Sequence, residues 1–274
     1  ADNSIKAFDA AWGIFPGVQA SWVVSNEPWF AKVRGIDYLR LNVGYDVSGN
    51  DDIDYFAARS YFSAVKFLDA ISGISFENIG NTRLQWETTK RFNVGFETNL
   101  INNRLNLRFN YFNSKTDHLL TYQALGFLTG IEKNWGNGGS LKNEGFDVTA
   151  VGKLVAMKSF QWELGLSVGH YKNKITSLAD DATYFDSSVY GATIRTEVGK
   201  PANMFYGYVT DGVFSTSEEA AAAALYVLGD NGVDKNYFGA GDMRFVDLNG
   251  DHKIDEHDRT FIGDPNPDIY GNIF

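Results

Sequence analysis

Hydrophobic and polar residues alternate with period two along much of this chain, the pattern of strands with one apolar and one polar face. In Tyr38 to Val47, Leu39, Leu41, Val43, Tyr45 and Val47 fall on one face, and Arg40, Asn42, Gly44 and Asp46 on the other. Phe92 to Leu100 repeats this, with Phe92, Val94, Phe96, Thr98 and Leu100 against Asn93, Gly95, Glu97 and Asn99. Leu105 to Tyr111 sets Leu105, Leu107, Phe109 and Tyr111 against Asn106, Arg108 and Asn110. Phe146 to Leu154 and Phe160 to His170 behave alike and Gly17 to Val24 more weakly, while Asp268 to Phe274 predicts the start of a seventh strand. Strands of about 8–11 residues suit a tilted crossing of a bilayer. The same alternation fits a soluble sandwich, whose apolar face meets a second sheet, and a transmembrane barrel, whose apolar face meets lipid while the polar face lines a lumen.

The connections favour the barrel. Asn102-Asn103 suits the positive φ values of a type I′ hairpin, in a register that sets Phe96 opposite Phe109, Val94 opposite Tyr111 and Glu97 opposite Arg108. The next hairpin turns near Met157-Lys158-Ser159, and its two even-numbered apolar sets predict an odd loop. The other connections are long: over forty residues from Ser48 to Arg91, about thirty from Asn113 to Asn143, and nearly a hundred from Tyr171 to Pro267. Ser25 to Asp37, with Glu27-Pro28-Trp29-Phe30, takes a short-side position. Short turns on one side and long loops on the other characterise outer-membrane barrels. A sandwich turns every 8–12 residues or so at both ends. In the longest loop, Thr216-Ser217-Glu218-Glu219 reads as a capping box. It predicts a short surface helix over Ala220 to Leu228, ended by Gly229, that packs Leu225 and Leu228 on the loop.

Composition narrows the classes further. The 274 residues include no Cys, 28 Gly and 5 Pro, with 15% aromatic residues and a formal net charge of -10. Without Cys there is neither a disulfide framework nor a thiolate metal site. The acidic balance excludes a nucleic-acid surface, which needs clustered Lys and Arg. High glycine and aromatic content with a mean hydropathy of -0.25 is unlike an ordinary enzyme core. The length alone reads as one or two domains. The chain opens on Ala1-Asp2-Asn3 with no basic-then-apolar leader, and no stretch approaches the roughly 18 consecutive apolar residues of a transmembrane helix.

Several tracts also match a family. Leu84-Gln85-Trp86-Glu87-Thr88-Thr89-Lys90, followed by Phe92-Asn93-Val94-Gly95, resembles the strand entry of SusC/RagA-type TonB-dependent outer-membrane transporters. So do Asn102-Asn103-Arg104-Leu105 leading into Tyr111-Phe112-Asn113, Asn143-Glu144-Gly145-Phe146-Asp147, and Pro201-Ala202-Asn203-Met204-Phe205-Tyr206-Gly207-Tyr208 with Asp211-Gly212-Val213-Phe214. Gly241-Asp242-Met243-Arg244-Phe245, Asp247-Leu248-Asn249-Gly250-Asp251 and Ile262-Gly263-Asp264-Pro265-Asn266-Pro267 continue the series in family order. The resemblance implies a 22-stranded antiparallel barrel in the bacterial outer membrane with an N-terminal plug. It also implies a SusD-like surface lipoprotein partner, and TonB-driven import of glycans or peptides. Six strands and a partial seventh fall far short of that barrel. Residues 1–274 are therefore expected to be a partial TonB-dependent receptor β-barrel domain, all-β with long extracellular loops and a short loop helix, without the plug domain and the remaining strands.

Three groups of residues are candidates for chemistry. Asp247, Asn249, Asp251, the Lys253 carbonyl, Asp255 and Asp258 fall at positions 1, 3, 5, 7, 9 and 12 of a loop, the oxygen spacing of a calcium site. His252 stands where glycine normally makes the sharp turn, and Asp258 is shorter than the usual Glu, so the pattern is closer to a dockerin-type loop. A structural Ca2+ pinning the loop is one reading, with Glu256 as a substitute ligand; an acidic, turn-rich loop capping its own backbone is the other. The lumen-side set is Arg40, Asp46, Glu97, Arg108, Asp147, Lys153 and Glu163, either a wall contacting substrate or plug, or ordinary cross-strand ion pairs. Trp86, Trp135, Tyr206 and Tyr208 could stack on sugar rings or anchor loops. No nucleophile elbow, P-loop or HExxH is present, so no enzyme is expected. The rival to the transporter is a secreted, calcium-stabilised β-sandwich that binds carbohydrate.

Overall fold

The computed structural model describes residues 12–53, 57–67, 71–81, 83–124, 133–157 and 159–274. Ala1-Asp2-Asn3 and Lys158 lie outside them. Seven strands form one antiparallel sheet in simple chain order: β1 (Gly17–Val23), β2 (Ile36–Asn50), β3 (Glu87–Leu100), β4 (Leu105–Asp117), β5 (Ser140–Ala156), β6 (Gln161–Ser177) and β7 (Tyr270–Ile273). The predicted seventh strand is present, and β1 and β7 are the two edges.

The register follows the alternation. Phe96 faces Phe109, Val94 faces Tyr111 and Glu97 faces Arg108. Leu41 faces Phe96 and Val43 faces Val94 between β2 and β3, while Phe109 faces Val148 and Tyr111 faces Phe146 between β4 and β5. A one-residue slip anywhere would turn an apolar set onto the polar face, so the two faces lock each pairing. Asn102 and Asn103 take φ of 55° and 58°, and Ile101 joins them at 57°.

Two expectations fail in detail. All five middle strands exceed the predicted length, at 15, 14, 13, 17 and 17 residues for β2, β3, β4, β5 and β6. Most of their extra residues lie toward the long loops, where both faces are polar and period two leaves no trace. The β5–β6 hairpin closes with a Met157 N–H to Phe160 carbonyl bond, so its loop is even. Lys153 then pairs with Glu163 while Val155 pairs with Trp162, which leaves Leu154 as a bulge. The bulge absorbs one residue and restores the even register in the strand body.

The long loops carry their own structure. Residues Tyr61–Phe67 and Ile71–Asn78 form a hairpin after β2, and Leu120–Ala124 and Lys133–Asn137 another after β4. Ala57, Ala58 and Leu84 are buried in a small core that Ile53, Leu120 and Trp135 cover. The chain divides into two compact units, Ala1–Thr183 with Pro267–Phe274, and Tyr184–Asn266.

The second unit holds a four-stranded sheet ordered Tyr184–Val189, Ala192–Glu197, Met204–Tyr208, Arg259–Gly263. Its core is Phe214, Ala220, Leu225 and Ile254, packed on by Val227, Phe238 and Phe245. The capping residue is as read: Thr216 Oγ1 accepts the Glu219 N–H. Helix α1, however, spans only Ser217–Ala223. Ala224 turns left-handed at φ 53°, which drives Leu225 into the core and sends Tyr226–Leu228 into a strand against Lys235–Tyr237. Tyr-Val favours a strand over a helix, and Leu228 stays exposed.

Candidate functional site

The seven polar residues singled out above share one face of the seven-stranded sheet, as their registers require. Glu97 bridges two guanidiniums, at 2.6 Å from Arg40 and 3.3 Å from Arg108. Lys153 reaches Glu163 at 3.8 Å. Asp46 and Asp147 stand apart from these pairs, with Arg91 the cross-strand neighbour of Asp46. Such half-exposed pairs are worth up to about 1 kcal/mol each, so they order the wall more than they stabilise it.

Two adjoining depressions run along this polar face. The larger, about 650 Å³, is lined by Gln19, Arg40, Asn42, Asp46, Asn93 and Asn110 among others. The second, about 490 Å³, is lined by Arg91, Asn93, Asn110, Phe112, Ser114, Asn143 and Tyr171. Asn93 and Asn110 belong to both. The second depression has an aromatic side seated on glycine. A methyl group on Gly145 would stand 2.4 Å from the His170 carbonyl oxygen, 2.8 Å from Tyr171 Cβ and 2.9 Å from the Phe112 ring. Gly169 is overlain in the same way by Tyr270, and Gly165 by Phe274. Tyr171 and Tyr270 meet edge-on at 6.0 Å.

The opposite face is apolar and uncovered. Val94, Phe96, Leu164 and Leu166 are 40%, 36%, 42% and 47% exposed. A stacked row of Phe96, Phe109 and Phe146 crosses it, with ring centroids 5.6 and 6.3 Å apart. Phe92 to Leu100 covers about 26 Å of strand at roughly 3.3 Å per residue, or about 20 Å at a tilt of about 40°. Toward the long loops this face turns polar at Lys90, Asn113, Lys115, Lys142, Glu144 and Lys172. Toward the short turns it ends in Trp22, Trp29, Phe160 and Trp162, all exposed. Trp22 donates its indole N–H to Glu27 and packs edge-on to Trp29.

The acidic loop is tied to the core of its own unit. Asp258 is fully buried, its two oxygens accepting the N–H groups of Leu248 and Asp255. Asp247 accepts from Gly250 and His252, Asn249 from Asp251, Asp251 from Lys253, and Asp255 from His257. His252 takes φ of 62°, the left-handed turn that glycine makes in such loops. The Lys253 ammonium, 2.6 Å from Asp255, holds that carboxyl far below the usual range, aided by the His257 N–H. Desolvation pushes Asp247 up, but the backbone N–H donors of His252, Gly250 and Asp251 together hold it low. Among the described residues no group of three or more His, Asp or Glu side chains is arranged to hold a metal ion.

The aromatic candidates separate. Trp135 packs on the small loop core, and Trp86 meets Phe15 edge-on at 5.5 Å. The Tyr206 ring lies 3.6 Å from the Arg195 guanidinium carbon and 5.2 Å from that of Arg259, so cations already occupy its surroundings. Tyr208 packs edge-on to Phe245, and burial pushes its hydroxyl up. Sequence reasoning missed Phe112, Tyr171, Tyr270 and Phe274 as wall residues. The signal was available: a polar-face glycine opposite a polar-face aromatic in adjacent strands.

Comparison with known proteins gives concordant matches. The family described as TonB dependent receptor-like, beta-barrel matches residues 37–261. TonB-dependent receptor P3 of Formosa agariphila is 27% identical over 266 residues, covering 94% of this chain and 26% of the relative. TonB-dependent receptor SusC of Bacteroides thetaiotaomicron is 26% identical over 278 residues, covering 95% of this chain and 26% of the relative. The chain thus spans about a quarter of the length of these relatives. A solved structure of the RagAB peptide transporter aligns with a TM-score of 0.74 and 21% identity over 94% of this chain and 27% of its own.

Proposed function

This chain belongs to the TonB dependent receptor-like β-barrel family, and we propose that it forms wall and extracellular loops of a SusC/RagA-type importer. Members of the family are transporters of the bacterial outer membrane, not enzymes. One observation carries the reading: a continuous apolar face, uncovered, on a sheet whose other face is polar and ion-paired. In water that face would bind a second sheet; lipid satisfies it directly. The reading extends to a 22-stranded barrel around a plug, driven by TonB. It also includes a SusD-like lipoprotein over the long loops, as the two-component name RagAB suggests, and a glycan or peptide as cargo.

The test is spin-label accessibility in the full-length receptor in lipid. Labels at positions 94, 96, 164 and 166 should collide with oxygen dissolved in the bilayer, and labels at 93 and 97 with a water-soluble nickel chelate. Even positions shielded from both reagents would mean a covering sheet, and the sandwich would replace the barrel. Calcium in the 247–258 loop remains part of the proposal on its oxygen spacing alone. Protease resistance of that loop unchanged between calcium and chelator would remove it.

A further inference from the structure

We propose that a row of four lysines on the apolar side of the sheet, Lys90, Lys115, Lys142 and Lys174, binds the phosphate headgroups of outer-leaflet lipid. The site rests on the reading of that side as lipid-facing. It goes beyond that reading by naming a ligand class that the wall draws from the membrane itself.

The registers set these four side chains side by side. Lys90 of β3 is the direct partner of Lys115 in β4, Lys115 of Lys142 in β5, and Lys142 of Lys174 in β6. Each stands an even number of residues from Phe96, Phe109, Phe146 or Leu166 in its own strand, so all four share the apolar residues' face. Strands lie about 4.8 Å apart, and the row therefore spreads over about 14 Å. Like charges directly opposite each other destabilise a sheet. The same sheet avoids them on its other face, where Glu97 is set between Arg40 and Arg108 and Lys153 is set opposite Glu163. General basicity does not explain the row either, since the chain has a net charge of -10.

Compensation within the sheet is partial. Asp117 holds Lys115 and Glu144 holds Lys142, each at 2.7 Å. Lys90 and Lys174, the two ends of the row, form no ion pair among the described residues, and neither does Lys172, one row nearer the apolar band. All three are exposed. Five lysines thus stand against two carboxylates on this part of the face, and an anion from outside the sheet completes the balance.

Position identifies the anion. Val94, Tyr111 and Phe146 form the last apolar row across β3, β4 and β5. The lysines follow four residues further toward the long loops, about 13 Å along the strand or about 10 Å along the bilayer normal at a tilt of about 40°. The headgroup layer outside the hydrocarbon is about 5–8 Å thick. A lysine stem lying along apolar surface covers the difference. A soluble anion would meet only the ammoniums, whereas a lipid also covers Phe92 and Phe146, exposed just below them. Lysine binds phosphate as a point charge without fixed geometry, which suits headgroups that exchange within a leaflet. Lysines near an anionic lipid surface each add to its attraction.

The test uses the full-length receptor, stripped of lipid in detergent. It is offered phosphorylated lipid A, lipid A freed of its phosphates, or inorganic phosphate, and native mass spectrometry counts what it retains. The wild type should prefer the phosphorylated lipid more than about tenfold. Lys90→Gln and Lys174→Gln should each weaken its binding about fivefold, and Glu144→Gln, which releases Lys142, should strengthen it. Changing all four lysines to Gln should abolish the preference. Changing all four to Arg should keep it, which separates lost charge from misfolding; heat-dependent gel mobility reports the folded barrel. Lys153→Gln, on the polar face, should bind as the wild type does. Equal retention of the two lipids, a preference that survives the Gln variant, displacement by inorganic phosphate, or a second receptor copy in place of lipid overturns the proposal. Spin labels at positions 94 and 96 separate the two levels. Labels shielded from bilayer oxygen defeat the lipid-facing side itself, whereas labels in lipid with no phosphate preference defeat only the lysine site.

Discussion

Gly145→Ala should destabilise the wall far more than Gly44→Ala, although both add one methyl group to the polar face of a central strand. At Gly145 the new Cβ would meet the His170 carbonyl oxygen at 2.4 Å, with Tyr171 Cβ at 2.8 Å and the Phe112 ring at 2.9 Å. A flexible side chain can swing away, but a backbone carbonyl moves only if β6 moves. Overpacking of this kind costs about 1–3 kcal/mol, and loosening one ladder bond between β5 and β6 adds about 1 kcal/mol. At Gly44 the nearest atoms lie 3.8 Å away, ordinary van der Waals contact. There the smaller entropy of the unfolded alanine chain stabilises by about 0.4–1 kcal/mol. The two variants should therefore differ by about 3 kcal/mol, with Gly145→Ala below the wild type and Gly44→Ala at or above it. Urea unfolding of the full-length receptor in lipid vesicles, followed by tryptophan fluorescence, measures the difference. Equal unfolding midpoints for the two variants would refute the close approach of Phe112 and Tyr171 over Gly145.

Glu97→Gln leaves Arg40 and Arg108 facing each other without their shared carboxylate. It should cost about 1–3 kcal/mol in the same assay, while Arg108→Ala, which removes a 60% exposed partner, should cost under about 1 kcal/mol. Asp258→Ala leaves two buried N–H donors unpaired, a loss of about 2–5 kcal/mol. It should appear as rapid proteolysis within residues 184–266 of the intact receptor, with Asp258→Asn intermediate. The hydrogen-bonded Arg195 guanidinium holds the Asp186 carboxyl below its ordinary value against the opposing effect of burial. Because the folded value is depressed, the stability it contributes is present above the ordinary carboxylate range near pH 4 and is lost as pH falls through the folded value. Protease resistance around 184–197 should decline below about pH 4, and Asp186→Asn should remove that decline.

The wall was legible because each of its rules can be checked twice. The Asn102-Asn103 turn predicts a register, and Glu97 opposite Arg108 on one face confirms what Phe96 opposite Phe109 requires on the other. The Leu154 bulge was not legible, since parity in the strand body is the same whether the odd residue sits in the loop or in the strand. Strand ends were missed where Lys115, Glu144 and Lys172 make the outer face as polar as the inner one. The helix stop at Ala224 has no glycine to mark it; burial of Leu225 imposes the left-handed turn. The ion-paired residues of the wall were readable as a set because they alternate with the apolar residues. The aromatic side of the depression was not, because Phe112 and Tyr171 break the alternation and their purpose shows only beside Gly145.

The order of strands in the sheet has a kinetic consequence. Each strand from β1 to β6 pairs with its neighbour in sequence, two of these junctions through short turns. β7 instead waits for residues 178–269 to pass before it can add to β6. Closing such a span as an open coil costs about 3 kcal/mol more than closing a four-residue turn. If the unit Tyr184–Asn266 folds first, that cost shrinks, because its first and last strands are then only three strand spacings, about 14 Å, apart. The lobe thereby acts as a timer for the sheet. Damage to Phe214, Leu225 or Ile254, which belong to a separate core, should delay the addition of β7 and leave the edge of β6 open to wrong partners during assembly.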